Sequence, residues 1–384
     1  MARLKTYDGR FCEYEYESTF ISFLEKEGWH YLPGKSINRA SQREVLYLDD
    51  LEHFLSSTNP DLLAEEIRQI MDRVRLAGAE SDFATLHKLY GWMVNGIQFT
   101  PQKGLSRMVQ LIDFENPDAN VFRVVNQFTV EYMDHGMVEN RRPDILLFVN
   151  GMPLCIIELK NPADAHATIS DAWEQINVRY WRDIPHLLHY CPLACISDGV
   201  KTRLGTVRTL YEHFYAWRRV NEGDAVSTLP FEETKSMISG VYRPSRFLEI
   251  FRDYIYFQDS EYDSYEREIV CRYPQFFAAR LLKQSIIRSV IEKSGKGGTY
   301  FGATGCGKTY TMAFLARQLS LRCTNIPQIG SPTIILIVDR DELQKQGAKL
   351  FTKSKEFLSL GEVSIVRNRK QLREELGIRA SGGF

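Results

Sequence analysis

The sequence predicts an α/β protein of two units, a mixed β-sheet flanked by helices followed by a strand–loop–helix lobe. Two observations lead to this prediction. The apolar segments ILLFV and PLCIIEL flank the turn-forming pair Asn150-Gly151, which is typical of a β-hairpin. Farther along, the glycine-rich segment GATGCGKT lies between an apolar stretch and a helix-forming segment. We expect the units to span residues 1–240 and 241–384, because the sequence of residues 220–240 is polar and shows no regular pattern.

Composition narrows the class of protein. With 384 residues, 44% of them hydrophobic and 25% charged, the chain is long enough for two domains with cores of their own. No apolar run approaches the length of a membrane span, and the first residues lack a signal-peptide pattern. The seven cysteines form no CxxC pair, which favours a reducing, cytoplasmic location. Because the net charge is −1, any nucleic-acid contact must be local.

Three charged residues stand at the ends of the predicted hairpin. Asp144 is at its entrance, and Glu158 and Lys160 are near its exit. In a hairpin that turns at Asn150-Gly151, Asp144 and Glu158 lie near the same end, and Glu158 and Lys160 point to the same face. Two carboxylates and an ammonium at one end of a sheet can hold a divalent cation and stabilise charge that develops on a phosphate.

Pro143-Asp144 followed by Glu158-Leu159-Lys160 resembles the PD-(D/E)xK nuclease motif, and RRPDILLFVNGMPLCIIELKNP is similar to the restriction (R) subunit of type I restriction-modification enzymes. The resemblance implies a PD-(D/E)xK nuclease-like sheet and Mg²⁺-dependent hydrolysis of DNA. Asp144 and Glu158 would hold the metal, with the Leu159 carbonyl as a further ligand. Lys160 would orient the attacking water or stabilise transition-state charge. A salt-bridged edge hairpin is the alternative interpretation.

The resemblance also points to residues on two helices. Residues 11–30 show an amphipathic helical pattern, and the family places a glutamate of this helix beside the nuclease site, which here is Glu17; a helix-capping charge is the alternative. A second helix after Lys160 carries a Gln and a Tyr four residues apart in the family. Here Gln175 and Tyr180 are five apart, and alignment puts Ile176 in the place of the Gln. The predicted site therefore includes Tyr180, while Gln175 is a weaker candidate that stays outside it.

Two further segments leave alternatives open. The strands VQLIDF and FRVVNQFTVEY are expected to join the hairpin in one sheet, where Gln127 and Glu131 could face the metal or a solvated face. The segment from Lys201 to Arg219 is the most basic of the chain and includes Tyr215 and Trp217. It fits contact with DNA phosphates, or an ordinary solvated surface.

The glycine-rich segment fits the pattern GxxxxGK[ST] of an ATP-binding loop. Its glycines let backbone N–H groups surround a phosphate, Lys308 neutralises phosphate charge, and Thr309 offers a hydroxyl to Mg²⁺. Gln275, ahead of the loop, is a candidate for reading adenine. The predicted nucleotide-site residues are Gln275, Gly302, Thr304, Gly305, Cys306, Gly307, Lys308 and Thr309.

The segment TIILIVDRDELQKQ predicts a buried parallel strand followed by a helix. We do not assign Asp339 to Mg²⁺, because VDRDEL resembles a DNA-contacting motif of helicase-like ATPases. The second unit is then an incomplete RecA-like P-loop lobe, and we expect its acidic Mg²⁺ motif and second lobe to lie outside this chain.

The family resemblance implies an ATP-driven DNA translocase that cuts double-stranded DNA with Mg²⁺ and ATP, in complex with modification and specificity subunits and without a membrane. Two alternatives remain. One is an ATP-dependent helicase or translocase whose nuclease-like domain binds DNA without cutting it. The other is a nucleotide-binding interaction module in which the P-loop is a structural switch.

Overall fold

The computed structural model describes residues 13–78, 80–161, 168–226, 229, 232–258, 266–338, 341–353, 355–358 and 364–379. Asp339, discussed above, lies outside these ranges. The chain divides into two units between Arg252 and Asp253, whereas the sequence placed the boundary near residue 240. Within the described ranges, no helix is long and apolar enough to cross a membrane.

The described part of the first unit combines helices with a central sheet and two smaller two-stranded sheets. Its strands are β1 His30–Pro33, β2 Ile97–Phe99, β3 Arg107–Val109, β4 Phe122–Asn126, β5 Val130–Asp134, β6 Met137–Arg141, β7 Ile145–Val149, β8 Met152–Leu159, β9 Leu193–Ser197 and β10 Thr202–Thr206. Its helices are α1 Glu13–Lys26, α2 Leu48–Thr58, α3 Ala64–Arg75, α4 Asp82–Asn95, α5 Ile169–Glu174, α6 Trp181–Asp183, α7 Pro185–Leu188, α8 Glu232–Val241 and α9 Pro244–Asp253. A π-helical turn, Gln175–Tyr180, joins α5 to α6.

The central sheet has six strands in the order β1-β4-β7-β8-β9-β10. The pairs β1–β4 and β8–β9 are parallel and the others are antiparallel, so the predicted mixed sheet is confirmed. The expectation that all strands of residues 98–131 join this sheet is wrong in part. Only β4 does so, because β3 pairs with β2 and β5 pairs with β6 in separate two-stranded sheets.

The hairpin of β7 and β8 forms as predicted. Asn150 and Gly151 both have positive φ, +49° and +76°, as a two-residue turn of type I′ requires. Every residue of the two strands is buried, which explains their continuous apolar sequences. The turn is buried too, and a Cβ on Gly151 would lie 2.0 Å from the carbonyl oxygen of Tyr47. Only glycine fits this position.

Helices cover both faces of the sheet near the end of β8. Side chains alternate between faces along a strand, so Glu158 and Leu159 point in opposite directions. Glu158 meets the π-helical turn. Ser197 pairs with Leu159 in register, and its hydroxyl lies 2.6 Å from the hydroxyl of Tyr16 on α1. The end of β8 is therefore enclosed by α1 on one face and by the π-helical turn on the other.

The second unit is mainly helical among its described residues. Its elements are β11 Ile255–Gln258, β12 Arg267–Val270, α10 Tyr273–Ile291, α11 Lys308–Arg322, α12 Asp341–Lys353, α13 Lys355–Leu358 and α14 Arg369–Arg379. Tyr254, Phe276 and Phe314 form an aromatic core, with ring centroids 4.9 and 5.3 Å apart. Buried Asp253 accepts hydrogen bonds from Arg322. The predicted helices after Gln275 and after the glycine-rich loop are confirmed.

The strand predicted before that loop and the strand predicted after α11 are absent from the described residues. Residues 296–303 and 332–338 form no strand, and Phe301 and Ile337 are 92% and 87% exposed. A parallel strand is stable only when neighbouring strands supply its hydrogen bonds. The described strands of this unit, β11 and β12, pair with each other, so the apolar segment 333–338 has no strand beside it.

Candidate active site

Asp144, Glu158 and Lys160 come together at one end of the central sheet. Asp144 directly precedes β7, and its Oδ2 accepts the backbone N–H of Leu159 at 2.8 Å. Glu158 is fully buried. Burial, and next the negative charge of Asp144, raise the pKa of Glu158 well above its ordinary value, while Lys160 opposes this shift. The site thus places two carboxyl groups close together where water is excluded.

The π-helical turn supplies polar partners for Glu158. The Tyr180 hydroxyl donates to Glu158 Oε1 at 2.8 Å, and the Gln175 amide donates to Oε2 at 2.7 Å. The Gln175 carbonyl oxygen accepts from Lys160 Nζ at 2.8 Å. Burial, and next the carboxylate of Glu158, raise the pKa of Tyr180 well above its usual range, so its hydroxyl remains a donor. These contacts place Tyr180 where the sequence predicted, together with Gln175, which it omitted.

Glu17 approaches the same end of the sheet from α1. It lies in the second turn of the described helix and is 5% exposed, so it is not a solvated helix-capping charge. Its Oε1 accepts from the Asn126 amide and its Oε2 from the Gln127 amide, both at 2.6 Å. The Gln127 amide also lies 3.4 Å from Asp144 Oδ1. Gln127 therefore connects Glu17 to Asp144, whereas Glu131 lines a separate cavity of about 780 Å³.

The donor set of this site suits a hard divalent cation such as Mg²⁺. Magnesium prefers carboxylate oxygens and is usually held by one or two of them. Asp144 and Glu158 supply such oxygens at one end of the sheet. In the described part of the chain, no group of three or more His, Cys, Asp or Glu has a metal-binding arrangement.

The predicted phosphate loop precedes α11 in the second unit. Gly305 and Gly307 both have φ of +79°, a left-handed conformation that favours glycine. Lys308 begins the helix, and its Nζ donates to the carbonyl oxygens of Gly302 and Ala303 at 2.8 and 3.0 Å. The other predicted residues lie in the loop and in the first turn of the helix: Thr304, Cys306 and Thr309. A glycine-rich loop ending at a helix N-terminus fits the phosphates of a nucleotide.

Gln275 contacts the phosphate loop directly. Its Nε2 lies 3.3 and 3.2 Å from the carbonyl oxygens of Cys306 and Gly307, and its Oε1 accepts the backbone N–H of Arg272 at 2.8 Å. In this structure both ends of the amide therefore have protein partners. Recognition of adenine by Gln275 would require it to exchange them.

The basic segment Lys201–Arg219 is largely engaged within the protein. The Arg208 guanidinium stacks over Phe83 and Trp181, each 5.4 Å away. Arg203 lies over Tyr211, and Arg218 forms an ion pair with Glu233 at 3.0 Å. Trp217 is 1% exposed and Tyr215 bridges to β10 through backbone hydrogen bonds. These contacts give the segment a packing role.

Two protein-family models match this chain. Residues 11–213 match the family described as type I restriction enzyme R protein N terminus. The chain belongs to this family. Residues 274–383 match the SWI2/SNF2 ATPase family, which fits a partial P-loop lobe.

Alignments with curated relatives cover most of the chain. The chain is 29% identical to the type I restriction enzyme HindI endonuclease subunit of Haemophilus influenzae over 97% of its own length. It is 26% identical to the putative type I restriction enzyme MjaIXP endonuclease subunit of Methanocaldococcus jannaschii over 88% of its own length. Identity to the type I restriction enzyme SauCOLORF180P endonuclease subunit of Staphylococcus aureus is 25% over 70% of the chain. The chain spans about a third of the length of the first two relatives (35% and 34%).

Sequence reasoning missed Asn126, left Gln175 outside the predicted site as a weaker candidate, and left Gln127 undecided. Gln175 was omitted because a five-residue spacing does not place two side chains on one face of an α-helix. A π-helical turn, with its i→i+5 bonds, does so. Asn126 and Gln127 carried only a weak signal, two amides at the end of a strand, since their partner Glu17 is more than a hundred residues away in sequence.

Proposed function

We propose that this chain is part of a restriction subunit that cleaves double-stranded DNA in a Mg²⁺-dependent reaction, coupled to ATP-driven translocation, within a complex that contains modification and specificity subunits. The observation that carries this proposal is the buried Glu158, which shares one end of the sheet with Asp144 and Lys160 and is held by Tyr180 and Gln175. Family membership and the ATPase match support the same assignment.

Asp144 and Glu158, with the Leu159 carbonyl, would hold Mg²⁺, which when bound would supply Lewis-acid stabilisation of the scissile phosphate. The chain's own groups do the positioning. Leu159 N–H fixes one oxygen of Asp144, and Tyr180 and Gln175 fix the two oxygens of Glu158. Lys160, held by Gln175, presents its ammonium to the water that attacks phosphorus or to the charge that develops as the ester bond breaks.

The second unit would bind ATP through the loop that ends at Lys308. The ammonium, which now contacts two loop carbonyls, would transfer its hydrogen bonds to the phosphates. Thr309 would offer its hydroxyl to the accompanying Mg²⁺.

Nicking of supercoiled plasmid in Mn²⁺ tests the nuclease assignment. The 384-residue chain is compared with its Asp144→Ala and Lys160→Ala variants, after circular dichroism has shown that all three are folded. The proposal expects nicking by the parent chain and by neither variant, with ATP binding equal in all three. Equal nicking by parent and variants would refute the assigned residues.

A DNA-binding domain that does not cut is the competing function, and the same samples separate the two. If the parent binds DNA but neither binds Mn²⁺ nor nicks the plasmid, the carboxylate cluster is structural and the helicase or translocase alternative is favoured. Loss of ATP binding in Lys160→Ala would contradict two independent sites.

A further inference from the structure

Gln127 has an unusual backbone at the point where β4 ends. Its φ is +49°, in the left-handed region that residues with a Cβ seldom adopt. Its backbone N–H donates to the carbonyl oxygen of Asp144 at 3.0 Å. This hydrogen bond joins the end of β4 to the residue before β7, beside the carboxylate cluster of Glu17, Asp144 and Glu158. Strain of this kind is retained where the surrounding structure requires it, often at functional sites.

The side chain of Gln127 connects two carboxylates. Its Nε2 lies 2.6 Å from Glu17 Oε2 and 3.4 Å from Asp144 Oδ1. The other oxygen of Glu17 accepts from Asn126 Nδ2 at 2.6 Å. The Tyr31 hydroxyl donates to Asn126 Oδ1 at 3.0 Å, which directs the donor end of that amide toward Glu17. Glu17 is thus held by two neutral amides.

The environment explains why such amides are required. Glu17 is 5% exposed. Burial raises the pKa of Glu17, and the hydrogen bonds from Asn126 and Gln127 oppose that shift. The charge of Asp144 adds to the shift, and the charge of Arg142 opposes it. A donor shared by two neighbouring carboxylates reduces their repulsion and fixes the distance between them.

We propose that Gln127 is a positioning residue that holds Asp144 and Glu17 in place for the divalent cation. The inference rests on the proposed nuclease function and extends it to a residue on the α1 side of the sheet. With Leu159 N–H on Oδ2 and Gln127 on Oδ1, Asp144 has a donor at each oxygen before a metal binds. Groups that orient a metal-binding carboxylate in this way commonly change metal affinity 10- to 100-fold when they are removed.

The test is Gln127→Gly in the 384-residue chain, with Mn²⁺ affinity measured by calorimetry without DNA. Glycine accepts the positive φ, so the substitution removes the amide without straining the backbone. The matched control is His135→Gly, at a second position with positive φ (+45°) whose side chain is 91% exposed. We expect Mn²⁺ affinity to fall about tenfold in Gln127→Gly and to stay at the parent value in His135→Gly. Melting in EDTA verifies that both variants are folded.

A double-mutant cycle with Glu17→Gln separates positioning from a structural effect. If Gln127 acts through the two carboxylates, Gln127→Gly should cost much less Mn²⁺ affinity in the Glu17→Gln background. An unchanged affinity in Gln127→Gly, or an equal loss in both backgrounds, would overturn the role of Gln127. A folded parent chain that binds no Mn²⁺ would instead refute the proposed metal-dependent function and this inference with it.

Discussion

Gln175 and Tyr180 are hydrogen-bonded to each other, Nε2 to hydroxyl at 2.7 Å, although five residues separate them in the sequence. The helix widens into a π-helical turn between them, which aligns positions i and i+5. Both side chains thereby reach Glu158 from the same direction. A π-helical turn arises when one extra residue is accommodated in an α-helix, so this turn preserves an alignment that the extra residue would otherwise destroy.

Removing one residue from the turn should preserve the site. Val178 is 47% exposed, and its deletion would let residues 175–179 return to α-helical bonding with Gln175 and the tyrosine four apart. We expect Mn²⁺ affinity and plasmid nicking to stay close to those of the parent chain. Insertion of an alanine after Val178 is the control, because a second extra residue should rotate Tyr180 away from Glu158 and abolish nicking. Equal activity of the two variants would contradict the alignment.

Gly151→Ala should destabilise the first unit strongly. Its φ of +76° disfavours alanine by about 1–2 kcal/mol, and its Cβ would in addition collide with the Tyr47 carbonyl. Gly136→Ala isolates the first contribution, since Gly136 has a φ of +83° and nothing within 4 Å of its Cβ position. Urea unfolding should therefore show a larger loss in the free energy of unfolding for Gly151→Ala than for Gly136→Ala. Equal losses would show that the close approach to Tyr47 does not contribute to the free energy of unfolding.

Buried thiols of the first unit should resist alkylation. Burial raises the pKa of Cys195 to about 12 and that of Cys155 well above its usual value, so both are neutral at pH 8 and poor nucleophiles. Cys306, in the phosphate loop, is partly exposed. In a Cys12→Ser background, we expect a thiol reagent at pH 8 to label Cys306 first, as peptide mass spectrometry would show. Fast labelling of Cys195 in the folded chain would contradict its burial.

The same thiols predict how the free energy of unfolding of the first unit changes with pH. A thiol whose pKa is higher in the folded state than in the unfolded state stabilises the folded chain. This stabilisation is complete below the unfolded pKa, near 9, and is lost as the pH rises through the folded pKa. Urea unfolding of the first unit should therefore give a lower free energy at pH 10 than at pH 8.

Lys308→Ala should weaken ATP binding while leaving the carboxylate site intact. The substitution removes a charge-assisted hydrogen-bond donor of the phosphate loop, a loss of about 1.5–3 kcal/mol, or roughly 10- to 100-fold in affinity. Lys345→Ala, at an exposed position of α12, is the control. Titration with a fluorescent ATP analogue measures the difference. Parent-like ATP affinity in Lys308→Ala would argue against phosphate binding by this loop.

The sequence by itself determined the local elements. The β7–β8 hairpin was predictable because Asn150-Gly151 and the apolar runs encode a turn and buried strands over short range. The amphipathic pattern of α1 and the glycine spacing before α11 are equally local signals. The apolar segment 333–338 was interpreted as a strand on the same grounds, but strand formation depends on neighbours that the local sequence does not contain.

Only the tertiary structure decided which side chains meet at the carboxylate cluster. Glu17, Gln127 and Asp144 come from separate segments, and their hydrogen bonds depend on how α1 packs beside the ends of β4 and β7. The partnership of Gln175 with Tyr180 likewise depends on a π-helical turn that spacing alone did not indicate. Sequence periodicity specifies the face of one element, whereas distances between distant segments, and the pKa shifts that burial causes, are set by packing.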